Sequence, residues 1–353
     1  MPRYYIPLCW LWLLLFLPIG GAALAQDQAQ PLPDKKDKAK PADDQDKDKE
    51  PAPKPLPQLS PEARYDYQGE ATFILQNLFQ FPSPYAGPNS FRSRQETELS
   101  HTYTLYLGAR VVNNLEVYVN PEIAWGNGIS EGQGLAGYTN GDLIGQPSLR
   151  PEPYLARYFV RWRIPMRHIG AHAGGEHIRE VQAGRSPNVI AGDIPAHRLV
   201  VTVGKMSIAD IFDVNSYANN PRTQFMNHAF GNNLAYDYAQ ETRGYDLGAA
   251  VVWVNPTWAV RFGTFAMPTS AGGPDLAYDW QHDHSEQIEG EIHPQLLRWK
   301  NAPPTIVRLL AFRNVGDMGQ YRDALAAQQA GLPPDITTVQ RQGAVKYGFG
   351  LNF

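Results

Sequence analysis

Apolar and polar residues alternate along segment 242–267, and this period of two predicts a β-hairpin. One face of its first strand carries Tyr245, Leu247, Ala249, Val251 and Trp253. One face of its second strand carries Trp258, Val260, Phe262, Thr264 and Ala266. Arg261 falls on the opposite face, and only residues 255–257 separate the strands. Strands of about ten residues, joined by a short turn with Trp253 and Trp258 beside it, are typical of membrane-spanning strands below an aromatic girdle. A soluble β-sandwich would show the same local pattern.

Alternation of this kind recurs along the chain and predicts about ten strands. They lie near residues 70–79, 97–109, 115–125, 154–163, 198–205, 243–254, 257–267, 285–293, 305–313 and 343–353.

The lengths of the connections separate a barrel from a sandwich. Five connections are long: 80–96, 126–153, 206–242, 268–284 and 314–342. The connections between them are short at 113–114, 255–256 and 294–304, and only 164–197 breaks the rule. Outer-membrane barrels have short periplasmic turns and longer external loops, whereas a soluble sandwich has no reason to alternate in this way. The sequence therefore predicts an all-β fold, an antiparallel transmembrane β-barrel of the outer-membrane porin type.

The N-terminus indicates export. Arg3, the apolar run 4–18 and the small-residue site Ala23-Leu24-Ala25 predict a signal peptide over residues 1–25. A membrane-anchoring helix is the alternative, but the run is short for a span of roughly 20 residues. The single cysteine, Cys9, lies inside this segment, so the mature chain would have no thiol for disulfides, metal binding or catalysis.

Residues 26–64 are rich in Pro, Lys, Asp, Ala and Gln and hold almost no large apolar side chain. Such a segment cannot bury enough apolar surface to fold, so we predict a disordered tether in the periplasm. Residues 65–353 then form the barrel domain.

The mean hydropathy of −0.40, with no apolar run of helix-spanning length after the signal, excludes an α-helical membrane protein. A formal net charge of −4 does not suggest nucleic acid as a partner.

Four blocks in the centre of the chain carry a family resemblance. They are residues 204–213 (GKMSIADIFD), 219–227 (NNPRTQFMN), 235–238 (AYDY) and 242–245 (TRGY). Together they resemble the central signature of the carbohydrate-selective porin family of Gram-negative outer membranes, the glucose-porin group. Residues 110–137, 154–159, 316–326 and 346–350 are similar to further segments of that family. The resemblance covers most of the chain after the tether.

The resemblance implies an outer-membrane porin that passes small carbohydrates by facilitated diffusion. The implied partners are sugars as permeants, outer-membrane lipid and the barrel-assembly machinery, with a homotrimer as one assembly to test. The family barrel has roughly sixteen strands, whereas about ten are present here, so we expect the 353-residue chain to be incomplete. The alternative is a compact variant, because outward-facing residues 345–353 end in Phe353, which resembles the terminal assembly signal of outer-membrane barrels.

A sugar channel needs donor forks, carboxylate acceptors and a few aromatic platforms at a narrow point. Arg157, Arg161 and Arg163 share one face of the fourth strand, opposite Tyr158 and Trp162. The long connection 206–242 is the best candidate for a loop folded into the pore, with a helical turn that Ser207 would cap. The predicted channel-lining residues are Arg157, Arg161, Arg163, Arg222, Arg261, Arg308, Glu98, Glu116, Glu122, Asp210, Asp213 and Asn215. Each of these residues could instead only brace a water-filled lumen.

Other chemistries have weaker support. The GxGxxG match at 132–137 lies in a glycine-rich connection with no helix behind it, so we expect no dinucleotide site and no cofactor. His168, His172 and His177, or the pair at 282 and 284, lack the helical context of a zinc protease. A barrel hydrolase would need a Ser–His pair, but Ser100 and His101 face opposite sides of a strand. The non-transport alternative is an adhesin or structural barrel.

Overall fold

The computed structural model describes residues 64–87, 89–143, 148–149, 151–166, 180–233, 236–270, 273–294 and 305–353. The predicted signal peptide, the tether up to residue 63 and the three histidines at 168, 172 and 177 lie outside the described residues.

Thirteen strands are described. Ten of them are long: β1 (Tyr65–Leu78), β2 (Glu96–Val112), β3 (Leu115–Asn127), β5 (Tyr154–Pro165), β8 (Arg198–Met206), β9 (Asp246–Asn255), β10 (Trp258–Ala266), β11 (His284–Ile292), β12 (Val307–Gly319) and β13 (Gln340–Asn352). Three are short: β4 (Ser148–Leu149), β6 (Glu180–Ala183) and β7 (Gly192–Pro195). The one α-helix described, α1 (Tyr321–Gln329), and the 3-10 helices at Ile129–Gly132, Gly134–Thr139, Ile208–Asp210, His228–Phe230 and Ile336–Val339 lie in connections.

The ten long strands are the ten that the alternation predicts, and they form one antiparallel sheet. Each pairs with the next long strand along the chain, in the order β1-β2-β3-β5-β8-β9-β10-β11-β12-β13, while β4 pairs with β3 and β6 pairs with β7. Within the described part of the chain, β1 and β13 are not paired with each other, so the sheet is not closed. Two of the predicted short connections are confirmed, because β2–β3 and β9–β10 are joined by two residues each, while the predicted connection 294–304 lies outside the described residues except for residue 294.

The two faces of the sheet differ in chemistry because successive side chains point to opposite sides. One face, called the outer face, exposes large apolar side chains such as Phe73, Leu105, Trp162, Phe262 and Phe349. The other, called the inner face, carries polar and charged residues that are buried, including Glu116, Glu122, Arg163, Glu289 and Arg308. Apolar residues outside and polar residues inside are the arrangement of a transmembrane β-barrel.

The predicted hairpin at 242–267 is confirmed with one correction. Trp253 and Trp258 lie beside the turn on the outer face, with ring centroids 5.1 Å apart. Tyr245, which the alternation placed on the outer face, is instead buried, and its hydroxyl reaches the inner-face carboxylate of Glu122. The reason is that β9 begins only at Asp246, so the period of two does not extend back to Tyr245.

Segment 207–245, which is described except for residues 234 and 235, crosses the inner face. Its side chains Ile208, Phe212 and Tyr236 form an apolar core with inner-face residues such as Phe265 and Phe312. Glycines on the inner face make room for these rings: a Cβ at Gly263 would lie 2.9 Å from the Phe212 ring, and one at Gly348 would lie 2.7 Å from the Phe312 ring. The segment is therefore packed against the sheet and does not project away from it.

The predicted helical turn of this segment exists only as the 3-10 helix Ile208–Asp210. Ser207 precedes it, but its side chain makes no capping hydrogen bond, so the predicted Ser207 cap is wrong. The side chain of Asn227, in contrast, accepts a hydrogen bond from the Ala229 backbone N–H and caps the 3-10 helix His228–Phe230. In the described residues, no helix has both the length and the apolar character needed to cross a membrane.

Candidate functional site

A cavity of about 310 Å³ lies between segment 207–245 and the inner face of β2, β3 and β5. Its wall combines polar and apolar groups, and guanidinium, carboxylate, amide and phenol groups all contribute to the polar part. The lining includes Tyr106, Glu122, Asp142, Tyr154, Arg157, Asp210, Asn219, Asn220, Arg222, Phe225, Asn227, Asn232, Gln240, Glu241, Arg243 and Tyr245. These groups match the hydroxyl-rich chemistry of a sugar, which needs both donors and acceptors.

Arg222 connects segment 207–245 to the opposite strands. Its Nε donates to Asp142 Oδ1 at 2.7 Å, and its Nη2 donates to Glu122 Oε2 at 3.0 Å. Its Nη1 donates to Glu70 Oε1 at 3.1 Å and to Thr104 Oγ1 at 2.8 Å. Burial alone would lower the pKa of Arg222, but the carboxylates of Asp142 and Glu122 raise that pKa well above its usual value. Arg222 is therefore a clamp between the segment and β1–β3, because each guanidinium nitrogen already has a partner.

Glu122 lies at the base of the cavity and accepts hydrogen bonds from several side chains. Besides Arg222, the hydroxyls of Thr104 and Tyr154 donate to it, and the Tyr245 hydroxyl lies 3.2 Å from Oε1. Because the Glu122 side chain is only 2 % exposed, it orients these donors and has little surface left for a permeant. The carboxylate thus fixes the shape of the cavity floor.

Two further arginines line the cavity and have donors to spare. Arg157 Nε donates to Asp210 Oδ2 at 3.2 Å, and the Arg157 guanidinium lies 4.8 Å from the centre of the Tyr245 ring. The Arg243 guanidinium stacks 3.4 Å from the centre of the Tyr154 ring. Cation–π contacts of this kind hold a guanidinium in place and leave N–H groups at its edge.

Arg161, Arg163 and Glu116 lie on the inner face as predicted, but away from the cavity. Arg163 and Glu116 are 1 % and 0 % exposed and pair with each other, and Glu116 also pairs with Arg110, whose Nη2 lies 2.9 Å from Glu116 Oε1. Arg161 Nη1 donates to the Asn188 carbonyl at 2.8 Å. The Ile190 carbonyl of the same segment accepts from Arg110, so the cluster joins segment 186–190 to the inner face of the sheet.

The predicted residues Arg261 and Arg308 form a third cluster on β10–β12. Arg261 donates to Glu289 at 2.9 Å and to Glu291 at 2.7 Å, and Arg308 donates to Glu291 at 2.7 Å. The backbone N–H of Asp213 donates to Glu289 Oε2 at 2.6 Å. These pairs therefore hold segment 207–245 against the second half of the sheet.

Three other predicted residues do not line the cavity. Asp213 is buried and accepts from Asn352 Nδ2 at 3.2 Å, and burial raises the pKa of its carboxyl. Asn215 Oδ1 accepts from the backbone N–H groups of residues 217 and 218, which makes it a turn residue. Glu98 lies on the inner face beside Gln76 of β1. The predicted residues that meet in the cavity are thus Arg157, Asp210, Arg222 and Glu122.

Sequence reasoning missed the partners that these four residues need. Glu70 and Thr104 are inner-face positions of predicted strands, so alternation could have placed them. Asp142 and Arg243 lie in connections, where alternation carries no information. Tyr245 was placed on the wrong face. Among the described residues, no group of three or more His, Cys, Asp or Glu side chains is arranged to hold a metal ion.

Comparisons with known proteins agree with the fold. Residues 89–353 match the model of a family described as "Carbohydrate-selective porin, OprB family". A search of curated proteins returns no match. Among solved structures, the chain is similar to the high-pH structure of Pseudomonas putida OprB, with a TM-score of 0.51 and 12% sequence identity. The match covers 82% of this chain and 61% of that chain, so this chain spans about three fifths of its length. At this identity the likeness shows the fold.

Proposed function

The chain belongs to the carbohydrate-selective porin family, and from that premise we propose that it carries small carbohydrates across the outer membrane by facilitated diffusion. The observation that carries the proposal is the cavity beside Arg222. It is the place where segment 207–245 approaches β2, β3 and β5 across the inner face, and it is lined by fixed donors and acceptors. A narrow polar passage of this kind selects by contact with the permeant.

Selection follows from which polar groups of the cavity already have protein partners. Arg222 and Glu122 are engaged by protein partners, so they hold the passage at a fixed width. Arg157 and Arg243 keep N–H groups that can donate to a sugar hydroxyl, and the Asn220 side chain adds an amide group whose Oδ1 already accepts from the Arg222 backbone N–H. A sugar replaces its water contacts with these groups as it passes, which lowers the cost of its dehydration. No covalent chemistry is needed.

Sugar block of the ion current in planar bilayers tests the proposal. We expect the purified protein to form channels whose ion current falls in a saturable way when glucose is added. Arg157→Gln should weaken this block, because it removes the charge and most donors of a cavity guanidinium. A barrel that conducts no ions and admits no sugar would support the adhesin or structural alternative. Channels that conduct ions with no sugar block would make this a non-selective pore.

Family membership also implies an outer-membrane location. We further propose that residues 1–25 direct export and are removed, and that residues 26–64 remain in the periplasm as a tether. Mass spectrometry of protein recovered from outer membranes should then give a mature N-terminus near Gln26. A chain that still begins at Met1, or that is recovered from the inner membrane, would contradict this expectation.

A further inference from the structure

Three aromatic side chains on segment 207–245 are exposed, although other large apolar side chains of the segment are buried in the core. Tyr217, Phe225 and Phe230 are 75%, 64% and 66% exposed. Their neighbours Ile208 and Phe212 are 1% and 0% exposed. Solvent-exposed apolar groups that cluster usually mark a binding surface, whereas isolated ones need no explanation. These three rings are therefore considered together and are called the aromatic platform.

The platform is a cluster fixed by the backbone. The Phe225 backbone N–H donates to the Tyr217 carbonyl at 3.0 Å, so these two residues are adjacent across the loop. The Phe225 and Phe230 ring centroids are 6.3 Å apart, within the range of an aromatic pair. The Asn232 backbone N–H donates to the Ala218 carbonyl at 2.7 Å, which brings the 3-10 helix His228–Phe230 close to Tyr217.

The rings do not hold the loop together. Its backbone is supported by its own amide side chains: Gln224 Oε1 accepts from the N–H groups of Asn219 and Asn220, and Asn232 Nδ2 donates to Asn219 Oδ1 at 2.8 Å. Arg222, between the rings, and Asp213, before them, attach this loop to the sheet. The rings are thus presented on a rigid frame, and exposing them has no evident role in folding.

The platform is continuous with the cavity. Phe225 itself lines the cavity beside Arg222, and the amides of Asn219, Asn220 and Asn227 line the adjoining wall. Aromatic rings bordered by amide groups suit one class of ligand in particular, a pyranose. Its C–H face packs on a ring, while its hydroxyl rim needs donors and acceptors. A flat apolar face is a property of the closed sugar ring that an open-chain polyol with the same hydroxyls does not keep.

We propose that Tyr217, Phe225 and Phe230 form a stacking subsite at the edge of the cavity that favours pyranose sugars over acyclic polyols of the same size. This inference rests on the proposed sugar channel and adds the feature of the permeant that is recognised. Arg157 and Arg243 then bind the hydroxyl groups of the sugar, and the aromatic platform packs against the C–H face of its pyranose ring.

The test compares glucose with glucitol as blockers of the ion current. Phe225→Leu and the double variant Phe225→Leu/Phe230→Leu keep apolar volume but remove the aromatic faces. We expect the ratio of glucose affinity to glucitol affinity to fall about five-fold in the single variant and further in the double variant. Tyr278→Leu is the matched control, because Tyr278 is 71% exposed in another long connection and does not line the cavity. It should leave the ratio unchanged.

The outcomes separate this inference from the proposed function. Wild-type channels without sugar block would overturn both. Wild-type block with an unchanged ratio in the Phe225 variants would overturn the stacking subsite and leave the sugar channel standing. An equal loss of affinity for glucose and glucitol would also overturn it, because the rings would then act only through their volume. The unfolding midpoint of each variant in urea shows whether the rings are instead buried by another part of the protein, since a marked drop would contradict the exposed platform.

Discussion

Replacing Arg222 with alanine is expected to widen the channel and to destabilise the protein. The side chain joins segment 207–245 to Asp142, Glu122 and Glu70, so its loss frees one side of the segment from the sheet. It also leaves Glu122, only 2% exposed, without its cation. Removing one partner of a buried ion pair costs about 3–5 kcal/mol. We expect a loss of that size in the free energy of unfolding in urea, with a larger single-channel conductance and weaker sugar block.

Two variants make this result specific. Arg222→Lys keeps the positive charge but cannot reach several partners at once, so its conductance should lie between wild type and Arg222→Ala. Arg313→Ala removes another arginine from an ion pair, with Glu286 at 3.1 Å, but both side chains are more than 40% exposed. That loss should change the unfolding free energy by no more than about 1 kcal/mol. If Arg222→Ala conducts like wild type, Arg222 is not the clamp of the channel.

Gly204→Ala is expected to prevent most of the protein from folding. Gly204 in β8 has a φ of +136°, which L side chains rarely adopt, and an added Cβ would lie 2.3 Å from the Tyr158 carbonyl oxygen of β5. That neighbour is backbone in a paired strand, so it cannot rotate away. Backbone strain and overpacking each cost about 1–3 kcal/mol, and both apply here. The fraction of protein that keeps a folded, heat-modifiable band on a gel should fall sharply.

Gly290→Ala is the control for this experiment. Gly290 also lies in a paired strand, β11, but it is exposed on the outer face, and an added Cβ would meet no atom within 4 Å. Alanine there should fold like wild type. If Gly204→Ala folds as well as Gly290→Ala, the close approach of β5 and β8 is not required for assembly.

The sheet could be predicted from the sequence alone. Period-two alternation located all ten long strands, and the lengths of the connections favoured a barrel over a sandwich. This works because a strand with one lipid face and one polar face must repeat every two residues, and a slip of one residue would turn every side chain to the wrong environment. Arg157, Arg161 and Arg163 were placed on one face by the same rule, and they share the inner face in the structure.

Alternation predicted the wrong face for a residue just outside a strand. Tyr245 lies one residue before β9, and its backbone is free of the pleat, so its ring turns inward to Glu122. The cap expected from Ser207 also failed, because the turn that follows it is a single 3-10 turn held by packing of Ile208 against the sheet. Both errors lie where tertiary contacts override a local pattern.

Which charged residues share a site could be seen only in the folded structure. Arg163 and Arg157 are six residues apart on one face of β5, yet Arg163 is sealed against Glu116 and Arg157 lines the cavity. The difference comes from the loops that lie on the inner face. Segment 186–190 accepts hydrogen bonds from Arg161 and Arg110 in the Arg163 cluster, whereas segment 207–245 leaves a cavity beside Arg157. A period of two fixes the face on which a side chain lies. It does not fix the position along the strands at which a distant loop crosses that face. That position depends on packing contacts such as Phe212 on Phe265 and on hydrogen bonds such as Arg222 to Asp142, which need the folded sheet.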